Sequence, residues 1–263
     1  MNDHQLKEYN LIGEKYLYIK YEYANYSHAL IDTIPIMLVI RNFFPDIIFL
    51  LSEKPFKTIN RIVNELKIKN LNLTEAKNIN SIDSVPSIDM FKFKSGNYLT
   101  SSLQELRSNL KLKKESPKKI LIKRYAPGRT KQRNISLDLS NYIKSLGFTE
   151  ITCSNYSVSE QANLFYNAEI IISPHSSDLA NIIFCNNGCN IIELNNGRDH
   201  GYFSKYIKNG LDRYGLNINY KLIFDEKFKD IKNVKIKEDE IHETFFYNLE
   251  KFKNILYDEY YIR

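Results

Sequence analysis

Short, unbroken runs of isoleucine and leucine recur along the second half of this 263-residue chain. Residues 120–122 read Ile-Leu-Ile, residues 170–172 read Ile-Ile-Ile, and residues 189–194 read Cys-Asn-Ile-Ile-Glu-Leu. Polar residues do not alternate with the apolar ones, so these strands are expected to be buried on both faces. Burial on both faces is typical of a parallel sheet covered by helices. The sequence therefore predicts an α/β fold.

Helical patterns separate the strand patterns along the whole chain. The predicted strands cover 16–21, 46–51, 119–124, 149–153, 169–173, 189–194 and 218–224. The predicted helices cover 28–44, 56–66, 101–110, 135–145, 157–167, 178–185, 206–214 and 240–257. A stretch rich in lysine around Pro117 interrupts this alternation and is typical of a linker.

These patterns predict two α/β domains. The first domain covers 1–112, and 113–118 form the linker. The second, Rossmann-like domain covers 119–238. The last segment, 239–263, carries a helix that is predicted to pack across both domains.

Two of the helices carry recognisable end signals. Ser157 and Glu160 form a capping box at the start of one helix, in which each side chain bonds the backbone N–H of the other residue. Gly147 is expected to end the helix over 135–145, because a glycine readily adopts the left-handed conformation of a C-terminal cap.

The net charge of +6 comes from one part of the chain. Residues 113–133 contain nine basic residues and one acid, so the rest of the chain is slightly acidic. A nucleic-acid-binding protein usually spreads basic charge along a face or over several elements. The concentrated patch favours a compact anion, or a solvated linker, over a nucleic acid. A nucleic-acid-binding protein, with affinity that falls steeply with salt, remains an alternative.

Cysteine content and apolar segments restrict the class further. Cys153, Cys185 and Cys189 have no nearby second pair of cysteine or histidine residues with zinc-site spacing, so they are predicted to be reduced thiols and not metal ligands. The apolar stretch Ile34–Ile40 is far shorter than the roughly 20 residues of a membrane-spanning helix. The N-terminal residues lack the pattern of a signal peptide, which predicts a cytoplasmic protein.

Polar residues follow three of the apolar strands. Arg124, His175 and Glu193 lie near the carboxyl ends of the predicted strands, which meet at one edge of a parallel sheet and are the usual ligand position. The helix predicted over 178–185 begins at Asp178. Ser176 and Ser177 connect it to His175. The N-terminus of this helix would suit a phosphate group, although a serine or Asp178 is expected to cap it. The other interpretation is an ordinary turn in which the histidine fills a gap.

The second half resembles glycosyltransferase family 61, a family of eukaryotic O-GlcNAc and xylosyl transferases and of bacterial and viral polysaccharide enzymes. The resemblance covers about 75 residues, from Lys119 to Leu194. It is carried by ILIKR, RTKQRNI and SVSEQANLFYNAEIIISPHSSDLANIIFCNNGCNIIEL, in the family's order and spacing. In the first half, NYSHALIDTIPIML matches more thinly.

The resemblance implies a GT-B architecture, in which two Rossmann-like domains with parallel sheets face one another. The first domain would hold the acceptor and the second the nucleotide sugar, with UDP as the family's usual nucleotide and without an essential metal. It also implies a glycan or glycoconjugate acceptor, and peripheral membrane contact if that acceptor is lipid-linked. The candidate donor-binding residues are Arg124, Arg129, Arg133, His175, Ser176, Ser177, Asn181 and Glu193; among the arginines, Arg124 and Arg133 match the family positions. In this scheme the arginines neutralise the leaving diphosphate, Glu193 accepts ribose hydroxyls, and Asn181 supports the His175 loop.

Inversion at the sugar's anomeric carbon requires a base that accepts the proton of the acceptor hydroxyl. His28 and Asp32 are four residues apart, so on a helix they share one face. Either His28 is the base and Asp32 orients it, or Asp32 is the base and His28 steers the acceptor. The first assignment is favoured because histidine titrates near neutral pH. Without the family resemblance, the two residues read as ordinary positions in a helix capped by Ser27.

Three residues depart from the family pattern. Where the family has Gly-Ala after the histidine and then Gly, this chain has Ser176, Ser177 and Asp178. The departure motivates a second hypothesis, that the chain binds a nucleotide sugar without transferring it.

Overall fold

The computed structural model describes residues 14–20, 26–51, 57–72, 85–89, 98–110, 112, 116–124, 135–195, 215–224, 248–260 and 262. The chain divides into two compact units. The first comprises Met1–Leu112 with Asp212–Gly215, and the second comprises Lys113–Leu211 with Leu216–Arg263. Both units have an α/β fold, and the strand pairs described in each are parallel, as the sequence predicts.

The first unit contains a four-stranded sheet in the order β3-β2-β1-β4. Its strands are β1 (Tyr16–Lys20), β2 (Ile48–Leu51), β3 (Asn70–Asn72) and β4 (Ser87–Asp89). Its described helices are α1 (Tyr26–His28), α2 (Ile34–Phe43), α3 (Lys57–Glu65) and α4 (Tyr98–Asn109). The helix α2 packs against α4, and Arg41 forms an ion pair with Glu105 between them.

The helix predicted over 28–44 is interrupted by a π-helical turn, Ala29–Thr33, which joins α1 to α2. The N–H of Ile34 donates to the carbonyl of Ala29, a spacing of five residues. Pro35 is the second residue of α2 and has no N–H, so it donates no hydrogen bond to the π-helical turn that precedes it. Residues 34–40 are all buried, so this segment is apolar because protein surrounds it on every side.

The second unit contains a five-stranded sheet in the order β6-β5-β7-β8-β9. Its strands are β5 (Lys119–Ile122), β6 (Thr149–Ile151), β7 (Ile170–Pro174), β8 (Asn190–Asn195) and β9 (Asn219–Phe224). Its described α-helices are α5 (Leu137–Ser145), α6 (Val158–Asn167) and α7 (Leu249–Tyr260). Two 3₁₀ helices cover Cys153–Asn155 and Ser177–Phe184.

The core of the second unit explains the unbroken apolar runs. Every residue of β7 is buried, and Ile172 and Ile192 from neighbouring strands belong to one apolar cluster. Phe252 and Leu256 of α7 belong to the same cluster, so the C-terminal helix completes this core. That α7 also contacts the first unit stays a prediction.

Both helix-end signals are confirmed. The Ser157 hydroxyl accepts from the N–H of Glu160 at 3.2 Å, and the Glu160 carboxylate accepts from the N–H of Ser157 at 2.7 Å. Gly147 follows α5 with a φ of +84°, a conformation that side chains rarely adopt. The capping box fixes where α6 begins, and Gly147 fixes where the chain leaves α5 to enter β6.

One predicted helix has a different geometry. The segment predicted as an α-helix over 178–185 is the 3₁₀ helix Ser177–Phe184. Within this helix the Asn181 side-chain amide donates to the carbonyl of Asp178, three residues earlier, at 3.0 Å. The helix predicted over 206–214 lies outside the described residues.

Replacing Ser157 by alanine is expected to destabilise the protein by about 1 kcal/mol, because the N–H of Glu160 loses its acceptor at the helix start. For a chain of this size, that corresponds to a melting temperature lower by about 2–4 °C. Thermal unfolding followed by circular dichroism measures the change. Ser154→Ala, an exposed position just before the helix, is the matched control, and equal shifts for both variants would contradict the assigned role.

Candidate functional site

The strand order of the second sheet reverses between β5 and β7, and we call the carboxyl end of this strand pair the β5/β7 crevice. The chain runs from β5 to β6 on one side and then continues through β7 and β8 on the other side. A reversal of strand order of this kind is where open α/β sheets bind ligands. Arg124 is the second residue after β5, and His175 directly follows β7.

His175 is anchored to β8 by its backbone and its ring. Its N–H donates to the carbonyl of Leu194 at 2.9 Å, which continues the pairing of β7 with β8. Its ring Nδ1 lies 2.6 Å from Oε1 of Glu193. The structure thus brings two of the three predicted residues into direct contact. The ring carries a proton on Nδ1 when it donates to this carboxylate, and Nε2 is then the basic nitrogen.

Two residues that the sequence reasoning missed complete this cluster. The side-chain amide of Asn195 donates to Oε1 of Glu193 at 3.0 Å, and the hydroxyl of Tyr220 donates to Oε2. Asn195 lies two residues after Glu193 on β8, so strand periodicity places both on one face and could have indicated it. Tyr220 comes from β9, and nothing in its local sequence indicates the contact.

The expected contact between Glu193 and ribose hydroxyls does not agree with this geometry. Glu193 has no exposed surface, and both of its carboxylate oxygens accept hydrogen bonds from protein side chains. A side chain enclosed in this way acts on a ligand through a neighbour. The structure therefore makes Glu193 the residue that orients His175.

Asp178 and Arg124 interact electrostatically across the crevice. Burial raises the pKa of the Asp178 carboxyl, while the positive charge of Arg124 and the Ser176 hydroxyl act in the opposite direction and lower it. Ser176 Oγ donates to Asp178 Oδ2 at 3.4 Å. Burial also raises the pKa of the Cys153 thiol, and the nearby Asp178 charge raises it further. A carboxylate thus shares the neighbourhood of the arginine that is predicted to bind phosphate.

The N-terminus of the 3₁₀ helix differs from the prediction, which was a helix start capped by a serine or Asp178. Ser176 occupies the cap position, and in the described structure neither its hydroxyl nor another side chain caps the helix. Ser176 is buried and Ser177 is half-buried. The expectation that a serine or Asp178 caps this helix is therefore wrong. Ser176 bonds the Asp178 carboxylate instead.

Asn181 supports this turn from inside the protein. It is fully buried, and its amide donates to the carbonyl of Asp178 and, at 2.9 Å, to Oε1 of Gln161 on α6. The Gln161 amide in turn donates to the carbonyl of Tyr156. Asn181 thus ties the residues after His175 to α6, which agrees with the supporting role expected for it.

His28 and Asp32 form the second histidine–carboxylate pair, in the first unit. His28 Nδ1 lies 2.8 Å from Asp32 Oδ2, and the pair spans the π-helical turn. The Asp32 side chain is 7% exposed and that of His28 is 20% exposed. The expectation that these two residues share one face is confirmed. Nδ1 of His28 carries a proton when it donates to the Asp32 carboxylate, and Nε2 is then the basic nitrogen of the ring.

A separate cavity of about 150 Å³ lies between β5, β6 and α5. Its lining includes Ile122, Ser140 and Glu150, but neither His175 nor Glu193. The convergence of charged side chains at the β5/β7 crevice is a stronger indication of a binding site than this cavity, because Glu150 is already bonded to Ser140 at 3.0 Å.

Three further predictions concern two arginines, a metal site and a membrane-spanning helix. Arg129 and Arg133 lie outside the described residues. Within the described ranges, no three histidine, cysteine, aspartate or glutamate side chains are close enough to hold a metal ion. A search of the described helices found none with the length and apolar character needed to cross a membrane.

Comparison with known proteins identifies the family. The model of the Glycosyltransferase 61 family matches residues 26–192, which is more than half of the chain and confirms the resemblance seen in the motifs. The match includes His28, Asp32, Arg124 and His175 and ends one residue before Glu193. A comparison with curated proteins gave no match. The chain therefore belongs to the Glycosyltransferase 61 family, and this membership implies glycosyltransferase activity.

Proposed function

We propose that the protein is an inverting, metal-independent glycosyltransferase that moves a sugar from a UDP-linked donor to a glycan or glycoconjugate acceptor. The acceptor would belong to a surface polysaccharide or a related glycan. A lipid-linked acceptor would bring the basic stretch 113–133 close to a membrane surface. The proposal includes a GT-B arrangement, with the donor on the second unit and the acceptor on the first.

The arrangement at the β5/β7 crevice is the observation that carries the proposal. A departing nucleoside diphosphate carries negative charge, which a metal-free enzyme must neutralise with cationic groups and hydrogen-bond donors. Arg124 and His175 follow the two strands that flank the crevice, and Glu193 holds the histidine ring. Both cationic candidates lie inside the segment that matches the family.

The histidine of the first unit supplies the complementary chemistry. In the proposed reaction, Nε2 of His28 accepts the proton of an acceptor hydroxyl while that oxygen attacks the anomeric carbon of the donor sugar. The bond from that carbon to the diphosphate oxygen breaks on the opposite face, so the configuration inverts. Asp32 stabilises the resulting imidazolium through the Nδ1 hydrogen bond of 2.8 Å.

Asp178 favours a second candidate, a module that binds a nucleotide sugar without turning it over. Its carboxylate interacts with Arg124 at the position where the proposed diphosphate would bind. A negative charge there opposes the extra negative charge that develops on a leaving diphosphate, so it is expected to slow transfer more than it weakens binding. Turnover measurements on the His28 variant below separate the two candidates, because the module has no transfer activity to lose.

Nucleotide binding is expected to raise the melting temperature, and UDP is expected to act more strongly than GDP or CMP. A ligand present at 100 times its Kd stabilises the folded state by about 2.7 kcal/mol, or roughly 5–10 °C at this chain length. A thermal-shift series with each nucleotide and its sugars, with and without EDTA, measures both nucleotide choice and metal dependence. Loss of the UDP shift in EDTA would contradict the metal-independent mechanism.

The matched variants for this measurement are Arg124→Ala and Lys123→Ala. Removing Arg124 is expected to raise the Kd for UDP roughly 10- to 100-fold, because hydrogen bonds to charged groups contribute about 1.5–3 kcal/mol. Lys123 is adjacent in sequence but pairs with Glu150 at 3.4 Å, so its removal is expected to leave the Kd nearly unchanged. Equal effects would show that only the overall charge matters.

Replacing His28 by asparagine is expected to lower the rate of sugar transfer by at least about 100-fold, because a general base contributes 10²- to 10⁴-fold. The Kd for UDP is expected to stay within about twofold. Turnover assays and calorimetry measure the two quantities, with Asn42→Ala, an exposed position in the same helical stretch, as the control. A variant that transfers normally while Asp32→Asn does not would make Asp32 the base.

Replacing Asp178 by asparagine is expected to stabilise the protein at pH 7 and to tighten UDP binding. The pKa of Asp178 is raised in the folded state, so folding is penalised once the pH exceeds the unfolded value of about 3.9. Below that pH the carboxyl is protonated in both states, and the gain from the substitution should vanish. Melting temperatures from pH 3 to 7 test this sign, and a destabilised variant at pH 7 would contradict it.

A further inference from the structure

A buried chain of hydrogen bonds joins three strands of the second unit, from Tyr220 on β9 through Glu193 on β8 to His175 after β7. We infer that Tyr220 and Asn195 are positioning residues of the donor site. Acting through Glu193, they hold the His175 ring with its Nδ1–H on the carboxylate, so that Nε2 faces the diphosphate of the nucleotide. In the imidazolium form, Nε2–H donates a hydrogen bond to a phosphate oxygen. The identity of the ligand in this inference rests on the proposed function. The hydrogen-bond chain itself does not.

The register of the sheet explains how Tyr220 reaches Glu193. Tyr220 pairs with Ile191 in the parallel ladder between β9 and β8. Paired residues point to the same face, and so does every second residue along a strand. Glu193 and Asn195 therefore share a face with Tyr220, whose long side chain spans one diagonal step to the carboxylate.

The contacts around Nδ1 define which ring nitrogen carries the proton. Nδ1 of His175 lies 2.6 Å from Glu193 Oε1 and 3.2 Å from the side-chain amide nitrogen of Asn195. That amide also lies 3.0 Å from Oε1, and an amide N–H can only donate. With a proton on Nδ1, the ring and the amide both donate to the same carboxylate oxygen. Without one, the Nδ1 lone pair would face a carboxylate oxygen at close range.

Burial makes the carboxylate depend on all of its donors. Glu193 has no exposed surface, so water does not replace a lost partner at Oε2. Removing the Tyr220 hydroxyl would take one hydrogen-bond donor away from this buried carboxylate. The carboxylate is then expected to rotate towards other donors, which releases the His175 ring from a single orientation.

If the His175 ring is no longer held in one orientation, its contact with the diphosphate is expected to weaken. If His175 meets the diphosphate, the affinity for UDP falls, whereas the affinity for uridine, which has no phosphate, stays the same. The expected increase in the Kd for UDP is about three- to tenfold, the range for one hydrogen bond of average strength.

The test uses the full chain labelled with ¹⁵N-histidine, with the His175 signals assigned from a His175→Gln variant. Protonated and unprotonated ring nitrogens give well-separated signals, so the tautomer is read directly. Tyr220→Phe removes only the hydroxyl, and Tyr166→Phe removes a hydroxyl from a half-buried tyrosine on α6 as the matched control. Calorimetry gives the Kd values for UDP and uridine.

The expected result is an Nδ1-protonated His175 in the wild type and mixed tautomers in Tyr220→Phe, with weaker UDP binding and unchanged uridine binding. Asn195→Ala is expected to act in the same direction and replaces Tyr220→Phe if that variant does not fold. A wild-type ring protonated on Nε2 alone, with no proton on Nδ1, would overturn the inference. So would a Tyr220→Phe variant with wild-type ring signals and wild-type Kd values.

The failure of the proposed function would look different. In that case the wild type would bind neither UDP nor another nucleotide, while the tautomer of His175 would still change in Tyr220→Phe. The positioning role would then stand, and the ligand of His175 would not be a nucleotide.

Discussion

Burial of strand β7 on both faces is the constraint on which the second unit depends. All five residues from Ile170 to Pro174 are buried, with β5 on one side and β8 on the other. A strand with no solvent-facing side has no place for charged residues within its length, so they follow at its end. His175 therefore emerges where the strand stops, beside the carboxyl end of β8. The chemistry of the site is positioned by the packing of isoleucine side chains.

Each of the two units contains a histidine–carboxylate pair, and the surroundings of the two pairs differ. Each has a histidine whose Nδ1 contacts a more deeply buried carboxylate, at 2.8 Å for His28 and at 2.6 Å for His175. In both pairs the carboxylate restricts the ring, and Nε2 is the nitrogen that can exchange a proton with a ligand. Asp32 holds its partner within a single helical segment, whereas Glu193 belongs to a neighbouring strand. The first pair thus depends on local helical geometry and the second on the register of the sheet.

Local sequence patterns predicted the structure correctly where a single physical requirement determines it. The unbroken apolar runs gave the parallel strands, and Ser157 with Glu160 gave a helix start, because each signal is contained within a few residues. The 3₁₀ winding of Ser177–Phe184 could not be read in this way, since an apolar run of that length does not distinguish helix types. Tyr220 was missed for a different reason. Its contact with Glu193 joins residues that are distant in sequence, and only the order of the strands brings them together.

The candidate site includes residues that lie outside the segment that matches the family. The family match ends at residue 192, yet Glu193, Asn195 and Tyr220 all lie after it. A histidine supplied by the matched segment would have no fixed tautomer if the following residues did not complete the sheet. Because β9 pairs with β8 and β8 pairs with β7, the orientation of His175 is a property of the assembled sheet. A segment cut at the family boundary would keep His175, the proposed ligand contact, and lose Glu193, Asn195 and Tyr220, which hold its ring.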